Sequence, residues 1–270
     1  MVQGKYYVID AHCHIYPQKI VEKAVAGTDA FYGVKSECYG TYTDLMDCGA
    51  SCGIDRFIVQ SVATTPKQVK SINDFIAESV AQHPDKLIGL GTLHPDSEDI
   101  TGDVEHIVLL GLHGVKLHPD IQRFALDDEK CMKMYEQCEK HGLPMLLHTG
   151  DNRYDFSNPN RLIPVLEKFK KLTVVGAHFG GFSIWQEAAE SLCKYENFYV
   201  DCSSTFPFIG VEAAKPLVEK FTPDKILFGT DYPMWSPKKE IERFLSLNLS
   251  EADNQKIFSE NAKKVYGLEF

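Results

Sequence analysis

Apolar positions along the chain alternate between short solid runs and longer stretches with helical spacing. The runs are YYVIDAHCHI (6–15), RFIVQSV (56–62), KLIGLGTL (86–93), GVKLHPD (114–120), PMLLHTG (144–150), LTVVGAHFGG (172–181), FYVDCSST (198–205) and ILFGTDYP (226–233). Each is bounded by Gly, Pro, Asn or Asp, the pattern of a buried strand. Between them, residues 67–82 place Val69, Ile72, Ile76 and Val80 on one helical face, and 128–141 do the same with Cys131, Tyr135 and Cys138 before stopping at Gly142 and Pro144. Residues 161–170 carry Leu162, Val165, Leu166 and Phe169 at the same spacing.

The runs start at 6, 56, 86, 114, 144, 172, 198 and 226, so every interval but the first is 26 to 30 residues. That is the length of a βα unit, and eight units predict an α/β fold, a (β/α)8 TIM barrel, with residues 1–270 as one domain. The first interval is about twenty residues too long, which places an inserted loop near 16–40, after strand 1 and at the barrel's C-terminal mouth. Ser250-Glu251-Ala252-Asp253 resembles a capping box and predicts one extra C-terminal helix. An open doubly wound sheet would bring a glycine-rich phosphate loop, and neither GxGxxG nor GxxxxGK[ST] occurs.

Composition narrows the function. A formal net charge of -10 disfavours a nucleic-acid surface, while leaving room for a locally basic pocket that takes a small, anionic molecule. The N-terminal segment is broken by Asp10 and His12 and reads as neither a signal peptide nor a membrane span. The eight cysteines are scattered without a CxxC and read as reduced thiols, as in a cytoplasmic protein. A homo-oligomer is compatible with this composition.

The chemistry lies at strand ends. His12 and His14 alternate with Cys13, so their Cα atoms lie ~6.5 Å apart on one face and can reach one metal ion, while Cys13 turns toward the helices. Asp10 shares their parity and is expected to orient a ligand from deeper in the barrel. His148 closes the fifth strand, His178 the sixth and Asp231 the eighth. A single strand-end histidine is usually a satisfied core residue. Five of the ten histidines (12, 14, 118, 148 and 178) at strand ends, with an aspartate completing the ring, are not explained that way. Imidazole plus carboxylate suits zinc first, with manganese or iron compatible, and a single divalent ion is favoured over two.

VIDAHCHI, LLHTGD, VVGAHFGG and ILFGTDYPM, together with the tail NAKKVYGL, resemble the amidohydrolase superfamily, in its amidohydrolase-related branch of TIM-barrel metal-dependent hydrolases. That branch includes decarboxylases similar to aminocarboxymuconate-semialdehyde decarboxylase. The resemblance implies His12, His14 and His148 as metal ligands, with Asp231 binding the metal or its water, and His178 bonding the attacking water or polarising a carbonyl. A bound cation lowers the pKa of water from 15.7 to about 7, and a neighbouring carboxylate takes the proton.

Strand four departs from the common pattern. Lys116 and His118 share its inward face. Lys116 is a candidate for the carbamylated bridge of binuclear members or for binding an anionic substrate, and His118 for positioning substrate or ligating metal. Arg153, and beside it Arg123, could receive a carboxylate. Phe179, Phe182, Phe206, Tyr232 and Trp235 fall in βα loops as candidate pocket walls, and His94 reads as structural. The first reading is hydrolysis of an ester, lactone or amide of a small carboxylated substrate, which the KLHP motif favours. The alternative is decarboxylation of an unsaturated or aromatic acid. A nuclease similar to the TatD group would need a glutamate near strand four, and a non-catalytic binding barrel would not need the full ligand set.

Overall fold

The computed structural model describes residues 1, 2 and 4–270. Eight parallel strands follow one another around the molecule: β1 (Ile9–His14), β2 (Arg56–Gln60), β3 in two pieces (Leu87–Gly89 and Gly91–Thr92), β4 (Val115–Leu117), β5 (Met145–Leu147), β6 (Val174–Gly176), β7 (Phe198–Asp201) and β8 (Ile226–Leu227). β3 bridges both halves, with Leu90 N bonding Val59 O at 2.9 Å and Gly91 N bonding Gly114 O at 2.9 Å. The ring closes where Ala11 N donates to Phe228 O at 2.8 Å and His14 N to Tyr232 O at 2.6 Å. The expected eight-stranded barrel is therefore present.

Eight helices follow the strands: α2 (Tyr42–Cys52), α3 (Val69–Gln82), α4 (Ile100–Leu109), α5 (Met132–His141), α6 (Pro159–Lys168), α7 (Trp185–Leu192), α8 (Phe206–Phe221) and α9 (Pro237–Leu245). Before them, the inserted segment holds a helix of its own, α1 (Val21–Tyr32), where only a loop had been expected. Its apolar face is narrow, with Val21 its one fully buried side chain, so periodicity hides it. The C-terminal helix opens on Ser250, whose side chain accepts from Asp253 N, and runs on through Asn261–Tyr266.

Alternation along the strands sorts the core into two layers. Ile9, Ile58, Ile88, Leu146, Val175 and Leu227 fill the barrel interior, joined by Ala262 and Tyr266 from the C-terminal helix and Leu268 just beyond it. Val59, Leu87, Val115, Leu147, Val174 and Phe228 face the helices, as does Cys13. The alternation breaks once, in β1, where the register against β2 shifts between Asp10 and Cys13. This bulge re-aims the side chains that follow it.

Candidate active site

The histidines meet at the C-terminal ends of the strands, on the wall of a cavity of about 980 Å3. His12 Nε2 lies 3.1 Å from His14 Nε2 and 3.3 Å from Asp231 Oδ1, and His14 Nε2 is 3.6 Å from the same oxygen. Gly229 of the turn after β8 permits this approach, because a Cβ there would stand 3.0 Å from His12 Cβ. Asp231 and His178 both adopt φ of 59°, a left-handed backbone that non-glycine residues hold only where surroundings enforce it.

Hydrogen bonds fix which imidazole nitrogens are bare. Asp201, at the end of β7, accepts from His12 Nδ1 at 2.8 Å, leaving the lone pair on Nε2. His178 Nδ1 lies 3.0 Å from the Ser203 carbonyl, to which only an N–H can donate, so its Nε2 is bare as well. Burial first, and then neighbouring positive groups, hold His12, His14, His118 and His148 well below the usual histidine range. Burial also brings His178 down to about 4. These rings are neutral at physiological pH.

The donor set fits a divalent cation. Two imidazole nitrogens and a carboxylate oxygen, each within 4.8 Å of the others, converge on one point. Asp231 is steadied by Ser204 Oγ at 2.5 Å, which in turn accepts from Trp235 Nε1 at 2.8 Å. Burial pushes Asp231 up to about 7. A family model described as Amidohydrolase matches residues 9–268. The chain belongs to the amidohydrolase family.

Among sequence relatives, it is 26% identical over 242 residues to 2-amino-3-carboxymuconate-6-semialdehyde decarboxylase of Dictyostelium discoideum, covering 73% of this chain and 66% of that one. It is 23% identical over 268 residues to gamma-resorcylate decarboxylase of Polaromonas sp. strain JS666, covering 78% and 80%. The fold is similar to that of dihydroxybenzoic acid decarboxylase of Polaromonas sp. JS666, solved with bound manganese and the inhibitor 2-nitroresorcinol. That match has a TM-score of 0.76 at 18% identity, over 97% of each chain.

Within this amidohydrolase, several residues stand differently from expectation. His148 lies on the cavity wall but outside the His12, His14, Asp231 group. Its ring stacks on His118 at 4.0 Å and 8°, and its buried Nε2 has no hydrogen-bond partner. Asp10 does not orient an imidazole: because of the bulge it accepts from His12 N at 3.2 Å, Thr230 N at 3.0 Å and Thr230 Oγ1 at 2.6 Å, tying β1 to the chain beyond β8. Lys116 is buried with Nζ 3.3 Å from His12 Nε2, and burial lowers it to about 8.

Arg153 corrects the expectation of a substrate-binding arginine. It is absent from the cavity wall, because its guanidinium is engaged with Asp151 (Nε at 2.9 Å, Nη2 at 2.6 Å) and with the Phe31 carbonyl at 2.5 Å. It latches α1 to the barrel. Arg123, at the left-handed end of the turn after β4, is likewise not on the wall. His118 lines the cavity, yet both its nitrogens are engaged, Nδ1 by Ile121 N at 3.3 Å and Nε2 by the Tyr32 hydroxyl at 2.5 Å. Of the suggested aromatic walls, none lines the cavity; Phe31 and Tyr32 of α1 do.

Sequence reasoning missed Asp201. Besides His12 it accepts from His178 N at 3.1 Å, Ser203 N at 3.0 Å and Ser203 Oγ at 2.5 Å, so one carboxylate sets the His12 imidazole and pins the backbone that carries His178. It ends β7 as His148 follows β5, and extending the strand-end rule from histidines to carboxylates would have found it. Among the described residues no helix is long and apolar enough to cross a membrane, and the eight cysteines are unpaired.

Proposed function

We propose that the chain is a metal-dependent decarboxylase of a small aromatic or unsaturated carboxylic acid. The observation that carries this reading is that both sequence relatives, matched over 73% and 78% of the chain, are decarboxylases of carboxylated unsaturated or aromatic compounds. The cavity offers matching parts. Its floor has the His12, His14 and Asp231 donors and the Lys116 ammonium, and its wall has the Phe31 and Tyr32 rings.

In this reading His12, His14 and Asp231 would hold one divalent ion, manganese or zinc, with His148 as a fourth ligand once its Nε2 turns from the Asp120 carboxylate 3.7 Å away. When bound, such an ion would supply Lewis acidity toward a substrate oxygen. Lys116 pairs with the substrate's anionic oxygen. The carbon–carboxyl bond breaks, CO2 leaves, and the electron pair left on carbon takes a proton. Asp231 takes that proton from water, whose hydroxide combines with the departing CO2. His178, whose bare Nε2 stands beside the His12 ring (centroids 5.3 Å apart), hands it to the carbon.

Hydrolysis, the reading favoured by the KLHP motif, would use the same groups to take a proton from water, and products separate the two. Manganese- and zinc-loaded protein is incubated with 2,6-dihydroxybenzoate and other carboxylated aromatic or unsaturated acids in 18O-water. Released CO2 with a product one carboxyl group smaller is expected. Failure of every such acid, with 18O appearing in the products of esters, lactones or amides, would replace the lyase reading with the hydrolytic one.

A further inference from the structure

Tyr32 is the last residue of the inserted helix and forms part of the cavity wall. Its ring is held edge-on to Phe182, with centroids 5.5 Å apart, beneath the Arg153 guanidinium at 5.3 Å. Its hydroxyl lies 2.5 Å from His118 Nε2. Which of the two atoms donates is decided on the far side of the imidazole. There the backbone N–H of Ile121 points at Nδ1 from 3.3 Å. An amide N–H only donates, so Nδ1 carries a lone pair, and the ring's single proton sits on Nε2. His118 therefore donates to Tyr32, and the phenol's own proton is not consumed by that contact.

Among the described residues the Tyr32 hydroxyl has no other hydrogen-bond partner. A phenolic proton stays near the ring plane, so with His118 donating to the oxygen it turns away from that imidazole, and Tyr32 lines the cavity. Accepting a hydrogen bond also polarises the O–H and makes it a stronger donor. We propose that Tyr32 is a substrate-binding residue whose hydroxyl donates to an anionic oxygen of the substrate, with His118 as the positioning residue that turns it. This rests on the cavity being the binding site for a carboxylated acid, as the proposed function has it.

The inserted helix thereby delivers a neutral donor to a mouth whose nearby arginines are absent from the wall. Arg153 contributes indirectly, by holding the Phe31 carbonyl. A role confined to packing would be kept by phenylalanine, which preserves the ring and removes only the hydroxyl.

The test uses benzoate as the probe, titrated calorimetrically into manganese-loaded protein. Tyr32→Phe is expected to bind benzoate about ten- to one-hundred-fold more weakly, the loss typical of a hydrogen bond to a charged acceptor, with unchanged metal content and melting temperature. Nitrogen-15 NMR of the histidines is expected to find the His118 proton on Nε2. Equal benzoate affinity in the two proteins, no benzoate binding by the parent, or a proton on Nδ1 of His118 would each overturn the inference. Tyr32-dependent benzoate binding without CO2 release from any acid would instead keep it and remove the decarboxylase reading.

Discussion

Asp201 Oδ2 accepts a 2.8 Å hydrogen bond from His12 Nδ1, and this contact decides which nitrogen of His12 faces the cavity. In Asp201→Asn the amide oxygen can keep the bonds to His178 N and Ser203 N. The amide nitrogen then faces Nδ1 as a donor, so the imidazole proton moves to Nε2 and the ligating lone pair is lost. Metal affinity should fall about 10- to 100-fold with little change in folding. Competition against a chelator measures it, and an unaltered affinity would mean that Asp201 does not set the tautomer.

His12 and Asp231 meet at 3.3 Å and should nonetheless fail differently. His12→Ala removes a nitrogen from the centre of the donor group and should lose metal and turnover together. Asp231→Asn keeps an oxygen there but not a titrating carboxylate. It should retain most of the metal while turnover drops about 10²- to 10⁴-fold, the range for a lost proton-transfer group. Metal content by elemental analysis, read beside turnover, distinguishes the two, and full activity in either variant would refute the site.

The barrel was legible because its interior is a repeat: strand after strand places a solid apolar run some 26 to 30 residues from the last. His12, His14 and Asp231 were legible because strands of a parallel barrel deliver their last residues to one mouth. Three things were not. The bulge in β1 leaves no mark in composition, so strict alternation misassigned Asp10. The α1 helix buries little, so it lacks the apolar stripe that announces a helix. Arg153 looked free because its partners, the adjacent loop residue Asp151 and a carbonyl 122 residues away, are set by tertiary structure.

That latch makes its own prediction. Arg153→Ala leaves the Asp151 carboxylate, whose side chain is fully buried, without its cation. With the Arg153 side chain 37% exposed, solvent screens the pair and the loss should be about 1–2 kcal/mol, below that of a fully buried pair. The α1 helix also loses its anchor at Phe31. The melting temperature should fall, and limited proteolysis should cut faster within 21–32. Adding Asp151→Asn should recover part of the loss, because the uncompensated charge disappears. A double variant as unstable as the sum of the two singles would show that the residues do not act as a pair.

Glu240 should give stability a pH dependence far from the mouth. It is buried on α9, its Oε1 accepts from Arg243 Nη1, and its Oε2 has no partner. Burial raises its pKa from 4.5 to about 7, with Arg243 opposing. The folded chain thus holds this proton more tightly than the unfolded one, so the stabilisation is complete below about pH 4.5 and is lost as pH rises through 7. The full span corresponds to at most about 3 kcal/mol. Glu240→Gln stays neutral throughout, so it should gain on the parent as pH rises, by roughly 2 kcal/mol between pH 5 and 8. Asp10 and Asp120 titrate alike in both proteins and cancel in the difference. Parallel melting-temperature curves for variant and parent from pH 5 to 8 would mean that Glu240 is already ionised in the folded protein at pH 5.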